Sequence, residues 1–143
     1  MIELAIESAG LNASYDITDK VSGAIDFDPD GAGDGLVSLF AHGSTIALVV
    51  MRYEPGTIQD LLRALDTLAP DNISYLHGLT TGDPNGFSHI RSTLLGTSIN
   101  VPWRDGALAL SPLHRIVLID FDLAPATRRV FVDYKLVKKA VRA

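Results

Sequence analysis

The chain has no cysteine among its 143 residues. That one absence removes disulfides, thiolate metal sites and cysteine nucleophiles together, and it points to a cytoplasmic protein. No apolar run approaches the roughly 20 residues that cross a bilayer, and Met1-Ile2-Glu3-Leu4 does not read as a signal peptide, so no membrane association is expected. A surplus of positive charge is also missing. The net charge of −5 argues against nucleic acid as a partner, because phosphate contacts require a basic surface. Arg128, Arg129, Lys135, Lys138, Lys139 and Arg142 do gather near the end, and they read as a solvated strand face followed by a frayed tail. Aromatic residues make up 7%, with a single tryptophan, Trp103, read as a packing residue at a strand end. What is present, 47% hydrophobic and 20% charged residues, suits one folded domain over residues 1–143 with one hydrophobic core.

The pattern along the chain predicts strands first, helices next and strands last. Met1–Ile6 and Ser14–Ile17 read as extended, with a short helix from Thr18 or Asp19 to about Ile25. Leu36–Ala41 and Thr45–Tyr53 are nearly continuous apolar runs, the pattern of strands buried on both faces. Thr57 and Asp60 resemble a capping box for a helix bearing Ile58, Leu61, Leu62, Leu65 and Leu68, stopped near Pro70. Asp71–Asn85 reads mostly as loop. A second helix, about Gly86–Leu95, is expected to bury Phe87, Ile90 and Leu94 and to stop at Gly96. Thr97–Trp103 and Ala107–Leu110 flank an Asp105-Gly106 hairpin signal, and Arg115–Asp122 and Arg128–Val137 complete the strands. This order predicts an α+β fold of two packed antiparallel sheets with two helices, without internal repeats or linkers.

One motif is a decoy. Asp26, Asp28, Asp30, Gly31 and Asp34 imitate a calcium loop, yet Val37 stands where a bidentate glutamate is needed and strands follow, so the segment reads as an acidic surface turn.

The chain resembles the YjbQ-like family, whose members are often called secondary thiamine-phosphate synthases. The resemblance is carried by His42-Gly43-Ser44-Thr45, Tyr53-Glu54-Pro55-Gly56, Tyr75 with His77, Asn85-Gly86 with Ser88-His89 and Arg91, Leu94-Leu95-Gly96, Val101-Pro102, Phe121-Asp122 and Arg128-Arg129-Val130, in that order and spacing. It implies packed β-sheets, a homotrimer and a histidine-rich site able to hold a divalent metal such as zinc. It also implies thiamine-phosphate synthase-like chemistry. Where family members usually carry His-Asp-Glu, this chain has His77-Gly78-Leu79, so two carboxylates are missing.

With the resemblance in hand, His42, His77 and His89 are the expected metal ligands, since imidazole suits zinc. Asp83 is the expected replacement for the lost carboxylates, as ligand or orienting group, although Asp83-Pro84-Asn85-Gly86 is also ordinary turn chemistry. Arg91 is expected either to receive a phosphate or carboxylate, or to form a surface ion pair. Gly43, Ser44 and Thr45 offer N–H groups and hydroxyls for an anion, or a simple bend before a strand. His114 stands open between lining the same pocket and facing solvent. Two functions follow. One is a metal-assisted enzyme acting on a small phosphorylated metabolite. The other is a non-catalytic trimer that holds a small anion or metal in a degenerate histidine pocket. An acidic side chain within hydrogen-bond reach of the histidines is the feature that separates them.

Overall fold

Alternation along the last strand organises the molecule. In the computed structural model, which describes residues 1–26 and 32–138, the strand Ala126–Lys138 (β8) buries Val130 and Val132 while Arg129, Asp133 and Lys135 face water. It pairs antiparallel with Ile2–Ser8 (β1) on one side and Ala32–Ala41 (β3) on the other. The sheet continues from β3 through Ser98–Arg104 (β5) to Ala107–Leu108 (β6), in the order β1-β8-β3-β5-β6. A second antiparallel sheet holds Ala13–Asp16 (β2), His114–Asp120 (β7) and Ile46–Arg52 (β4), in the order β2-β7-β4.

The main core lies between the two sheets. Val37, Leu39, Val101, Trp103, Val130 and Val132 of the larger sheet meet Ile46, Leu48, Ile116 and Leu118 of the smaller. Each such side chain contributes about 1.5–3 kcal/mol on burial, so this interleaving is what holds the sheets together. Trp103 is therefore a core residue, as its sequence position suggested. The reverse face of the smaller sheet, with Ala47, Val117, Ile119 and Phe121, is covered by the Ile58, Leu61, Leu62 and Leu65 stripe of the helix Pro55–Leu68 (α2). Thus β4 is sandwiched, which explains its continuous apolar sequence. The same expectation fails for β3. Its Val37, Leu39 and Ala41 are buried, but Leu36 and Phe40 are 44% and 45% exposed on the outer face of the larger sheet.

The fold is α+β, with four helices among the described residues where the sequence pattern predicts two principal ones: Thr18–Gly23 (α1), α2, Leu76–Thr81 (α3) and Gly86–Leu95 (α4). The segment of α3 reads as loop in the sequence. It is six residues long, buries none of them and has no capping side chain, so it leaves no periodic signal. The start of α2 also differs. Glu54, not Thr57, is its N-cap, accepting hydrogen bonds from the N–H groups of Gly56 and Thr57. On α4 the buried face is Phe87, Ser88, Arg91 and Ser92, while Ile90 and Leu94 are exposed, which corrects the apolar stripe expected there. The hairpin signal holds: Asp105 and Gly106 have φ of 50° and 82°, the left-handed pair that a two-residue β-turn requires. Asp28 and Asp30 of the acidic turn, and Lys139 and Arg142 of the basic end, lie outside the described residues. Among the described residues, no helix is long and apolar enough to cross a membrane.

Candidate ligand cleft

The functional candidates meet where α4 crosses the start of β4. Two buried serines of α4 fix it there. The Ser88 hydroxyl donates to the Phe121 carbonyl at 2.5 Å, and the Ser92 hydroxyl donates to the Ile46 carbonyl at 2.6 Å. His89, between them, is left half-buried at the surface, and His77 reaches it from α3. Their rings approach edge to face with centroids 4.6 Å apart and planes at 78°.

Hydrogen bonds settle which nitrogen each ring keeps bare. His89 Nδ1 lies 3.0 Å from the Ser44 carbonyl, which can only accept, so Nδ1 carries the proton and Nε2 is the bare nitrogen. His77 Nε2 lies 3.1 Å from the Asn85 side-chain oxygen, which leaves His77 Nδ1 bare. His42, exposed just beyond β3, is oriented differently. Arg129 Nη2 donates to its Nδ1 at 3.2 Å, and its ring meets Phe131 edge-on at 5.5 Å. With Nδ1 accepting, neutral His42 presents an N–H at Nε2. Among the described residues, no three histidine or carboxylate side chains come together as a metal-holding group, so the expected His42–His77–His89 trio is not assembled within one chain. His77 and His89 meet; His42 belongs to Arg129.

Two clefts share this wall. The first, about 500 Å³, is lined by Phe40, His42, Ser44, His89, Thr93 and Thr97 among others. The second, about 590 Å³ and more apolar, lies against Tyr75, Leu76, His77, His89 and Ile90. Ser44 and His89 border both.

Several sequence-expected site residues lie elsewhere. Arg91 is only 1% exposed. Its guanidinium donates to the Ala69 carbonyl (3.0 Å), Asp66 (2.8 Å) and Asn12 (3.3 Å), and it sits over the rings of Phe87 and Phe121. It lines neither cleft; the ion pair it makes is with the largely exposed Asp66, from a buried guanidinium, and it ties α4 to the end of α2. Thr45 is buried, and its hydroxyl donates to Asp122 Oδ2 at 2.9 Å, so it does not face a ligand. Asp83 is exposed and lines neither cleft; its N–H bonds the Thr81 hydroxyl, the ordinary turn role. His114 is exposed at the start of β7, opposite Arg52.

The residues that sequence reasoning missed are Arg129 and Asp122. Arg129 reads as part of a solvated strand face, and only the pairing of β8 with β3 shows that it lies beside His42. Asp122 stands out in the sequence only within a motif. Burial raises its carboxyl, but the Ala124 N–H, the Thr45 hydroxyl and the charges of Arg128 and His89 outweigh this and hold it below its ordinary value. Among the described residues, no carboxylate is hydrogen-bonded or ion-paired to any of the three histidines; the Asp122 charge reaches His89 only through space. Beneath it, fully buried Asp120 accepts from Ser8, from Arg128 Nε at 2.6 Å and from the Asp122 N–H, closing the end of β7.

The fold and these residues define a protein of packed antiparallel sheets with an imidazole-walled surface cleft. The sequence pattern of the family described as "UPF0047 protein YjbQ-like" matches residues 2–135, and the chain belongs to that family. A UPF0047 protein of Archaeoglobus fulgidus is 37% identical over 131 residues, covering 92% of this chain and 98% of that one. A UPF0047 protein of Methanothermobacter thermautotrophicus is 31% identical, covering 92% and 88%. Among solved structures, a YbjQ-like protein of unknown function from Sulfolobus solfataricus superposes with a TM-score of 0.84 at 26% identity, covering 94% of each chain. A conserved hypothetical protein from Thermus thermophilus gives 0.78 at 30% identity, covering 96% of this chain and 100% of that one.

Proposed function

We propose that the cleft beside His42 binds the anionic end of a small phosphorylated metabolite, and that the protein does so as a homotrimer. The observation that carries this is the Arg129–His42 hydrogen bond. A guanidinium donating to Nδ1 turns the other edge of the ring into a donor, so His42 offers an N–H to an oxyanion while Arg129 adds positive charge nearby. Ser44 and Thr97 border the same space. Among the described residues no carboxylate is bonded to the imidazoles, which favours binding over acid–base catalysis. The trimer is supported by the apolar Leu36 and Phe40 left open on the outer sheet face.

The test is calorimetric titration of the protein with inorganic phosphate and with thiamine phosphate. His42→Ala and Arg129→Ala are expected to weaken phosphate about tenfold or more, the scale of one charge-assisted hydrogen bond. Equal affinity in wild type and both variants would sink the proposal.

A second reading is favoured by the His77–His89 approach. Two imidazoles, each with a bare nitrogen, suit zinc, although they supply two protein ligands and not three. Zinc held there would polarise a phosphoryl oxygen or activate water, the metal-assisted, thiamine-phosphate synthase-like enzyme implied by the resemblance. Metal content of the untagged protein measured by mass spectrometry separates the readings. Close to one zinc per chain, lost in both His77→Ala and His89→Ala, would put the metal reading first.

A further inference from the structure

We propose that Asp122 and Thr45 act as positioning residues which fix the tautomer of His89, so that its Nε2 is the nitrogen presented to a ligand. The chain of contacts is short. Asp122 Oδ2 accepts the Thr45 hydroxyl at 2.9 Å, and the Thr45 carbonyl accepts the Phe121 N–H at 2.9 Å. Thr45 is therefore clamped through both its side chain and its backbone. The Ser44 carbonyl shares a planar peptide with the Thr45 N–H, one φ rotation from the anchored Thr45 Cα, so clamping Thr45 narrows the directions that carbonyl can take. That carbonyl is the partner of His89 Nδ1 at 3.0 Å. On the other side, His89 is held by α4, pinned through Ser88 and Ser92 to the Phe121 and Ile46 carbonyls. Both halves of the His89–Ser44 bond thus rest on the ends of β7 and β4.

Asp122 has its own support. Its Oδ1 accepts the Ala124 N–H at 3.0 Å, and its own N–H donates to buried Asp120. The carboxylate is thereby oriented before Thr45 reaches it. An imidazole whose protonated nitrogen is set by a second partner is a familiar way of fixing the nitrogen that faces a ligand or metal. Here the partner is a backbone carbonyl, and the carboxylate acts one residue removed from it.

This inference rests on the second reading, in which His89 is a metal ligand, but its first readout needs no metal. Two-bond proton–nitrogen NMR correlation on the whole protein reports which His89 nitrogen carries the proton. Wild type is expected to show Nδ1–H alone. Thr45→Val, which keeps the shape and removes the hydroxyl, is expected to give a mixture of tautomers, and so is Asp122→Ala. Thr45→Ser is expected to restore the wild-type pattern, which a purely structural role for the threonine methyl would not do. Zinc affinity should fall in Thr45→Val and return in Thr45→Ser, because a bare Nε2 is a metal donor and not a partner for a phosphate oxygen. Should Asp122→Ala fail to fold, the nearly isosteric Thr45→Val still decides. A pure Nδ1–H tautomer in folded Thr45→Val would overturn the proposal. An altered tautomer with unchanged zinc affinity would uphold the positioning role and overturn the reading of His89 as a metal ligand.

Discussion

Gly86 and Tyr75 contend for one space: a Cβ on residue 86 would stand 2.5 Å from the Tyr75 Cβ and 2.8 Å from its Cγ. Tyr75 cannot easily retreat, because its hydroxyl is tied to the Pro70 carbonyl at 2.5 Å. This close approach sets α3 against the start of α4, and so sets His77 against His89. In Gly86→Ala the intrinsic helix gain of about 1 kcal/mol meets an overpacking cost of about 1–3 kcal/mol, so the net effect is destabilising or neutral. The expected result is a melting temperature at or below wild type, with the His77 and His89 rings pushed apart. Calorimetry checks the first, and the ring-current shifts of the two imidazoles check the second.

Arg91 gives a test of what is structural and what is ligand-facing. Arg91→Met removes the bonds to Ala69 and Asp66 and the cation–π stacking over Phe87 and Phe121, but leaves Asp66 largely in water. The expected loss is about 2–4 kcal/mol of stability, from a packing defect and unpaired polar groups. Phosphate affinity of the folded variant is expected to equal wild type. Urea unfolding and calorimetric titration measure the two; a large loss of affinity in a stable variant would return Arg91 to the site.

Most strands are legible because a face buried on a sheet writes period two or a continuous apolar run into the sequence. The failures have local causes. Thr57 with Asp60 imitates a capping box, while Glu54, an uncommon cap residue, does the capping through two backbone N–H groups and the Thr57 hydroxyl. Accordingly, Glu54→Ala should lower the thermal midpoint and Asp60→Ala should not, as differential scanning fluorimetry would show. On α4 the apolar residues Ile90 and Leu94 draw attention away from Ser88, Arg91 and Ser92, whose burial depends on carbonyl partners far along the chain. The His77–His89 meeting is expected from the sequence as part of a trio. The exclusion of His42 is not legible there, because Arg129 lies 87 residues away and meets it only through strand register.

Acid should destabilise the fold in a definite window. Burial raises the Asp16 carboxyl, but hydrogen bonds from Thr18 and Arg115 outweigh it and hold it below its ordinary 3.8, and Asp122 is likewise held low. A carboxyl lowered in the folded state contributes stability that is fully present above its unfolded value and is lost as pH falls through the folded one. The melting temperature is therefore expected to be flat above about pH 5 and to drop steeply below about pH 4. Asp16→Asn should flatten part of that drop while lowering the neutral-pH plateau. A variant curve parallel to wild type throughout would show that Asp16 contributes no linkage.

Leu36 offers the cleanest test of the proposed trimer. Single exposed apolar residues are ordinary, but Leu36 pairs in register with Pro102, and Phe40 with Phe131, so the outer sheet face carries apolar groups side by side. Leu36 lies away from the cleft, and its other neighbour in the ladder is Lys135. Leu36→Glu therefore places a carboxylate beside an ammonium and should leave the isolated chain folded. In a subunit interface the same charge would be buried against apolar surface, at a cost of several kcal/mol. Wild type is expected to sediment as a trimer and Leu36→Glu as a monomer with an unchanged circular dichroism spectrum. Monomeric wild type would sink the trimer, and a trimeric variant would move its interface off this face. Phosphate titration of the monomeric variant then shows whether the cleft of one chain is complete: affinity equal to wild type means that His42, Arg129 and Ser44 suffice, and lost affinity means that a neighbouring copy supplies the rest.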